Sequence, residues 1–126
     1  MNPKQFLIVG GAVLLLVGIL GAVGVIGPTA EDSLFGSMWW FDYYENVAHT
    51  VLGIVALIAA FVLPHSAQKP LVMLVGVIAL YFGLYSAFIS SDFYGSAMLQ
   101  QHADTVLHLA VAIWAFWASM RKSAMM

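Results

Sequence analysis

Glu45-Asn46-Val47-Ala48-His49 and Asp104-Thr105-Val106-Leu107-His108 are two copies of one element, a carboxylate followed four residues later by an imidazole, standing 59 positions apart. On a helix this spacing puts acid and base one turn apart on the same face. Two carboxylates and two imidazoles brought together make a ligand set for a single transition-metal ion, Zn, Fe, Mn or Cu. Such an ion also supplies the positive charge that makes two buried carboxylates tolerable. Glu45, His49, Asp104 and His108 are therefore the expected metal ligands, with Asn46, Thr50 and Thr105 placed to hydrogen-bond them from behind. The same residues have a purely structural alternative: interhelical salt bridges, Glu45 to His108 and Asp104 to His49, that join two helices.

The elements that carry these residues are membrane-grade. Of the 126 residues, 63% are hydrophobic and only 8% charged, and the mean hydropathy is +0.96, outside the range of a soluble domain. Hydropathy divides the chain into four expected spans at about 6–26, 43–63, 71–89 and 103–120. Each is long enough to approach the roughly 30 Å hydrocarbon layer at about 1.5 Å per residue. Pro28 closes the first, Pro64 ends the second, and the third begins after Pro70. The first span has the charge and apolar run of a signal peptide, but it is too long for a signal core and reads as a helix. The whole chain, 1–126, is then one transmembrane domain.

Charge sets the expected orientation. Lys4, Lys69, Arg121 and Lys122 are all the basic residues, and they fall at the two chain ends or between spans two and three. By the positive-inside rule those segments are cytoplasmic, in a cell (inner) membrane crossed several times. All six acids, with His49, His102 and His108, belong to the opposite side. Trp39, Trp40, Tyr43, Tyr44 and Tyr94 suit an aromatic belt there, and Trp114 and Trp117 the inner end of span four.

The 59-residue offset extends beyond the motifs. It pairs Val13 with Val72, Ile19 with Ile78, Gly24 with Gly83, Gly36-Ser37 with Gly95-Ser96, and Ala56 with Ala115. The expected architecture is an all-α, integral membrane four-helix bundle: two parallel helix-hairpin repeats, about 12–61 and 71–120, around a pseudo-twofold axis along the membrane normal. That axis brings spans two and four together, with Gly53, Ala56 and Ala60 facing Ala112, Ala115 and Ser119.

Other chemistries are narrower. The absence of cysteine excludes disulfides, thiolate metal sites and covalent haem attachment. His49 and His108 are placed to ligate a b-type haem or, singly, the Mg of a chlorophyll. Against haem, the carboxylates crowd the ring edge, and no basic residue on that side meets the propionates. No Ser has a His or Lys placed to activate it, so a serine hydrolase has no support. Nothing indicates an enzyme unless a metal keeps an open coordination position. No nucleic-acid partner is indicated. The expected partners are lipid and, in the accessory-subunit alternative, a larger membrane complex or a second copy docking on the Gly-rich faces of spans one and three. His65 reads as a solvated turn residue, and His102, Met38 and Met98 as loop or filler residues. Asp92 and Tyr94 are placed to cover the site.

Asn46-x-x-His49-x-x-x-Gly53 and Asp104-x-x-Leu107-His108-Leu109, with the four-span layout, resemble a family of small four-helix bacterial membrane proteins of unknown function. The run from His108 to Trp117 is also similar to pigment-binding light-harvesting helices. The first resemblance implies a bacterial plasma membrane and a His/carboxylate core; it implies no activity.

Overall fold

Two capping boxes start the first two helices. Asn2 accepts the Gln5 N–H at 2.9 Å while Gln5 accepts the Asn2 N–H at 3.0 Å, opening α1 (Pro3–Ala22). Asp42 and Glu45 make the same reciprocal pair at 2.9 and 3.2 Å, opening α2 (Tyr43–Val62). Each box satisfies two backbone donors that a helix start otherwise leaves without partners. α3 (His65–Phe88) and α4 (Ala103–Ser119) complete an all-helical architecture. Two short strands, β1 (Asp92–Phe93) and β2 (Ala97–Met98), pair antiparallel between α3 and α4. The computed structural model describes residues 1–89, 92–93, 97–98 and 103–121.

α1, α2 and α3 are each long and apolar enough to cross a membrane. α4, at 17 residues, covers about 25 Å at 1.5 Å per residue, somewhat less than the hydrocarbon layer. Three of the expected spans are thus helices of full crossing length, and α4 is a shorter apolar helix among the described residues. α1 stops at Ala22 rather than Ile26, because Gly24 takes a left-handed φ of 91° and turns the chain away. α3 starts at His65, six residues before the expected Leu71, and runs through Pro70. The proline forfeits one hydrogen bond, to the Ser66 carbonyl, in the exposed first turns of the helix.

Small residues set the packing. α1 lies against α2, and α3 against α4. A β-carbon on Gly11 would come within 3.0 Å of the Gly53 carbonyl, and Gly18 and Gly21 sit directly on Thr50 and Asn46. In the second pair, Gly76 faces the Phe116 ring and Gly83 faces Leu109 at 2.9 and 2.8 Å from an added β-carbon. A buried hydroxyl pair, Ser86 and Thr105 at 2.6 Å, joins α3 to α4. Close approach through small residues is how helices associate where the surroundings are as apolar as their side chains.

All four helices meet at the end of the bundle that carries Pro3 and Ser119. Phe6, Leu7, Ala59, Ala60, Val72, Ala115 and Ala118 form one buried cluster there. Trp114 packs edge-on against Phe6 with ring centroids 4.5 Å apart, and its Nε1–H donates to the Met1 sulfur. Gln68 closes the α2–α3 turn by donating from Nε2 to the Ala60 and Leu63 carbonyls at 3.1 and 3.2 Å. The outer surface is apolar, with Val13, Leu16, Val55, Ile58, Phe61, Val77 and Ile113 all exposed. A small-residue interior under a large apolar exterior is the distribution expected of a bundle solvated by lipid.

Candidate functional site

The carboxylates and imidazoles sit at the opposite end, in the first two turns of α2 and α4. Glu45 is third in α2 and Asp104 second in α4, and they are only 6% and 1% exposed. Glu45 Oε1 accepts the Asp42 N–H, and the Glu45 carboxyl also lies within hydrogen-bonding reach of the Asp104 carboxyl. One turn along, His49 and His108 are half-buried and close enough for their charges to interact. The Nδ1 atoms of both imidazoles are buried without a hydrogen-bond partner. Each ring is held by a phenylalanine: Phe41 edge-on to His49 at 5.1 Å, and Phe82 tilted against His108 at 5.8 Å between centroids.

The α1–α2 loop delivers Phe41. Its backbone N–H donates to the Ile26 carbonyl at 2.8 Å, and Asn46 Nδ2 holds the Phe41 carbonyl at 3.2 Å. Trp39 stacks on both Phe35 and Phe41 at about 5 Å, so an aromatic wall stands over the His49 side of the site. On the other side β2 lies against α2.

All four proposed ligands are brought to one region, but the arrangement differs from expectation in four respects. The Glu45 carboxyl approaches the Asp104 carboxyl, a contact that the clasp reading did not include, and the His108 imidazole lies near the Asp104 carboxyl of its own helix. Asn46, Thr50 and Thr105 do not back the ligands. Asn46 binds the Phe41 carbonyl, Thr50 Oγ1 donates to the Asn46 carbonyl at 2.8 Å, and Thr105 pairs with Ser86. Gly53 and Ala56 face α1, where the β-carbon of Ala56 lies 3.1 Å from one added at Gly11; Ala60, Ala112, Ala115 and Ser119 are buried in the interior. Finally, several glycines of α1 and α3 pack inside the hairpins, Gly11, Gly18 and Gly21 against α2 and Gly76 and Gly83 against α4. Among the described residues, no three His, Cys, Asp or Glu side chains already converge as an ion-holding group.

One feature was readable but missed. Asp42-Tyr43-Tyr44-Glu45 is an acid-x-x-Glu capping box, so Glu45 has a helix-starting task besides any other. The Ser86–Thr105 contact had no sequence signal, since hydroxyls at helix ends are ordinary. His102, Tyr94 and the Gly95-Ser96 pair lie outside the described residues, as do the side chains of Asp92 and Met98.

The chain matches a family described as Domain of unknown function (DUF4383) over residues 4–120. No curated protein and no solved structure matches it.

Proposed function

The chain belongs to the DUF4383 family of unknown function, and from its own geometry we propose that Glu45, His49, Asp104 and His108 form a cation site binding one transition-metal ion (Zn, Fe, Mn or Cu) between the two helix hairpins. The carrying observation is the approach of the Glu45 and Asp104 carboxyls in a buried setting. Two ionised carboxylates at hydrogen-bonding distance repel strongly, so a positive charge must lie between them, either a proton or a metal ion. The two imidazole Nδ1 atoms without partners supply neutral nitrogen donors beside that charge, a donor set suited to these metals. Because the side chains are not already gathered on one point, the ion draws them together through rotamer changes. In its absence a shared proton holds the carboxyl pair.

The pairing of equivalent positions, 45 with 104 and 49 with 108, also supports the reading of two parallel repeats about a pseudo-twofold axis. Charge distribution supports an outward-facing site, with both termini cytoplasmic. A macrocycle fits less well: a ring held between the imidazoles extends beyond one helical turn, and the carboxyl contact one turn away closes that space. The second reading is structural, for an accessory subunit of a larger membrane complex, in which the proton-sharing carboxyl pair fastens one hairpin to the other and no ion enters.

Elemental analysis of the protein purified in mild detergent separates the two. The expected result is one ion per chain, lost in His49→Ala and in His108→Ala while helical circular dichroism is retained. A wild-type protein that neither carries nor takes up an ion overturns the metal site and leaves the carboxyl clasp.

A further inference from the structure

At the end of the bundle remote from the carboxyls, an open groove is lined by Pro3, His65, Ser66, Lys69 and Arg121 among others, with no acidic side chain among the described residues that line it. All six acids of the chain belong to the loops or helix starts of the other end. Among the described residues the groove is therefore positive. Lys69 and Arg121 come from α3 and from the residue that follows the last turn of α4, so the fold gathers charges separated by 52 positions. Arg121 lies over the Trp117 ring at 5.1 Å, and Lys4 lies over Phe61 at 5.6 Å. Basic heads on aromatic stems mark this end as the level where the apolar surface gives way to water. The first N–H groups of α3 open beside His65 and Ser66 with no side-chain cap, adding hydrogen-bond donors and the positive end of a helix dipole to the side-chain charge.

The geometry points to a binding site for a phosphate group in this groove, and its place at the basic end of an apolar bundle assigns that phosphate to an anionic phospholipid headgroup. Lys69 and Arg121 carry the charge, and Ser66 and the α3 backbone donate hydrogen bonds. The acyl chains lie along the exposed apolar surface of the neighbouring helices. Basic side chains at the membrane surface attract acidic lipids in general; an open groove lined by two of them beside a helix start makes the contact local.

The test uses the full chain in detergent and follows thermal unfolding on addition of phosphatidylglycerol, phosphatidylcholine or inorganic phosphate. Phosphatidylglycerol is expected to raise the midpoint, while phosphatidylcholine and inorganic phosphate at equal concentration do not. Lys69→Gln with Arg121→Gln should weaken the phosphatidylglycerol response about tenfold in half-saturating concentration, with the lipid-free midpoint unchanged. Lys4→Gln, outside the groove, should keep the full response. Equal stabilisation by both lipids, an equal loss in Lys4→Gln, or an undiminished response in the double variant overturns the site. Inorganic phosphate acting as strongly as the lipid overturns the headgroup assignment.

Discussion

Glu45 answers two demands with one carboxyl: it caps α2 through the Asp42 N–H and it faces Asp104. Substitutions can separate these tasks. Glu45→Gln retains a capping acceptor at the third helical position, so thermal stability in detergent should be nearly unchanged while any metal content falls. Asp42→Ala removes the other half of the box and should cost about 1 kcal/mol of stability with metal content retained. Opposite behaviour, stability lost in Glu45→Gln with the ion kept, would place the residue's importance in the helix start alone. The buried hydroxyl pair is a second residue-scale case. Ser86→Ala and Thr105→Val each remove the bond between the two helices, and each should cost roughly 1 kcal/mol. A double-mutant cycle should show coupling, because the second removal has no bond left to break; strict additivity would mean the 2.6 Å contact contributes nothing.

Elements are positioned by what lies between them, and in each hairpin that is a glycine. Gly18→Ala and Gly53→Ala would drive a β-carbon against backbone, 2.7 Å from the Thr50 nitrogen and 2.6 Å from the Leu15 nitrogen. Backbone cannot swing aside as a flexible side chain does, so each should destabilise by about 1–3 kcal/mol. Gly10→Ala meets nothing nearer than the Trp114 ring at 3.8 Å and should leave the unfolding midpoint unchanged or slightly raised. If all three variants behaved alike, the glycines would be serving helix flexibility and not contact. The pattern of small residues was legible in the chain; their partners were not. Glycine at any position permits close approach, but whether Gly53 turns to α1 or to α4 depends on the rotation of α2 within the bundle. A four-residue error in that assignment leaves the composition untouched.

For the molecule as a whole, the separation of charge along the bundle axis carries the strongest expectation. Basic residues and acids occupy opposite ends, and the proposed orientation puts the acid end outside. The chain has no cysteine, so single cysteines report cleanly: Ser37→Cys, in the α1–α2 loop, should react with an impermeant thiol reagent on intact cells. Ser66→Cys, at the α3 start, should react only after permeabilisation. The reverse pattern would invert the orientation and place the carboxyl site inside. Stability at this scale rests on the four-helix cluster around Phe6, Leu7, Val72 and Ala115, far from the carboxyls. The site end can therefore change its contents without the bundle coming apart.

Composition alone settled that the helices are apolar enough for a membrane, because a run of uncharged residues needs no partner to declare its preferred solvent. The four-residue spacing of acid and imidazole likewise determined which side chains share a helix face, since helical geometry is local. Tertiary structure decided which of those groups meet. It set carboxyl against carboxyl and imidazole beside imidazole, gave Gly53 to α1, and gathered Lys69 and Arg121 into one groove. These outcomes depend on the rotation and depth of each helix relative to the others, which follow from the summed packing of the bundle and are written in no single segment.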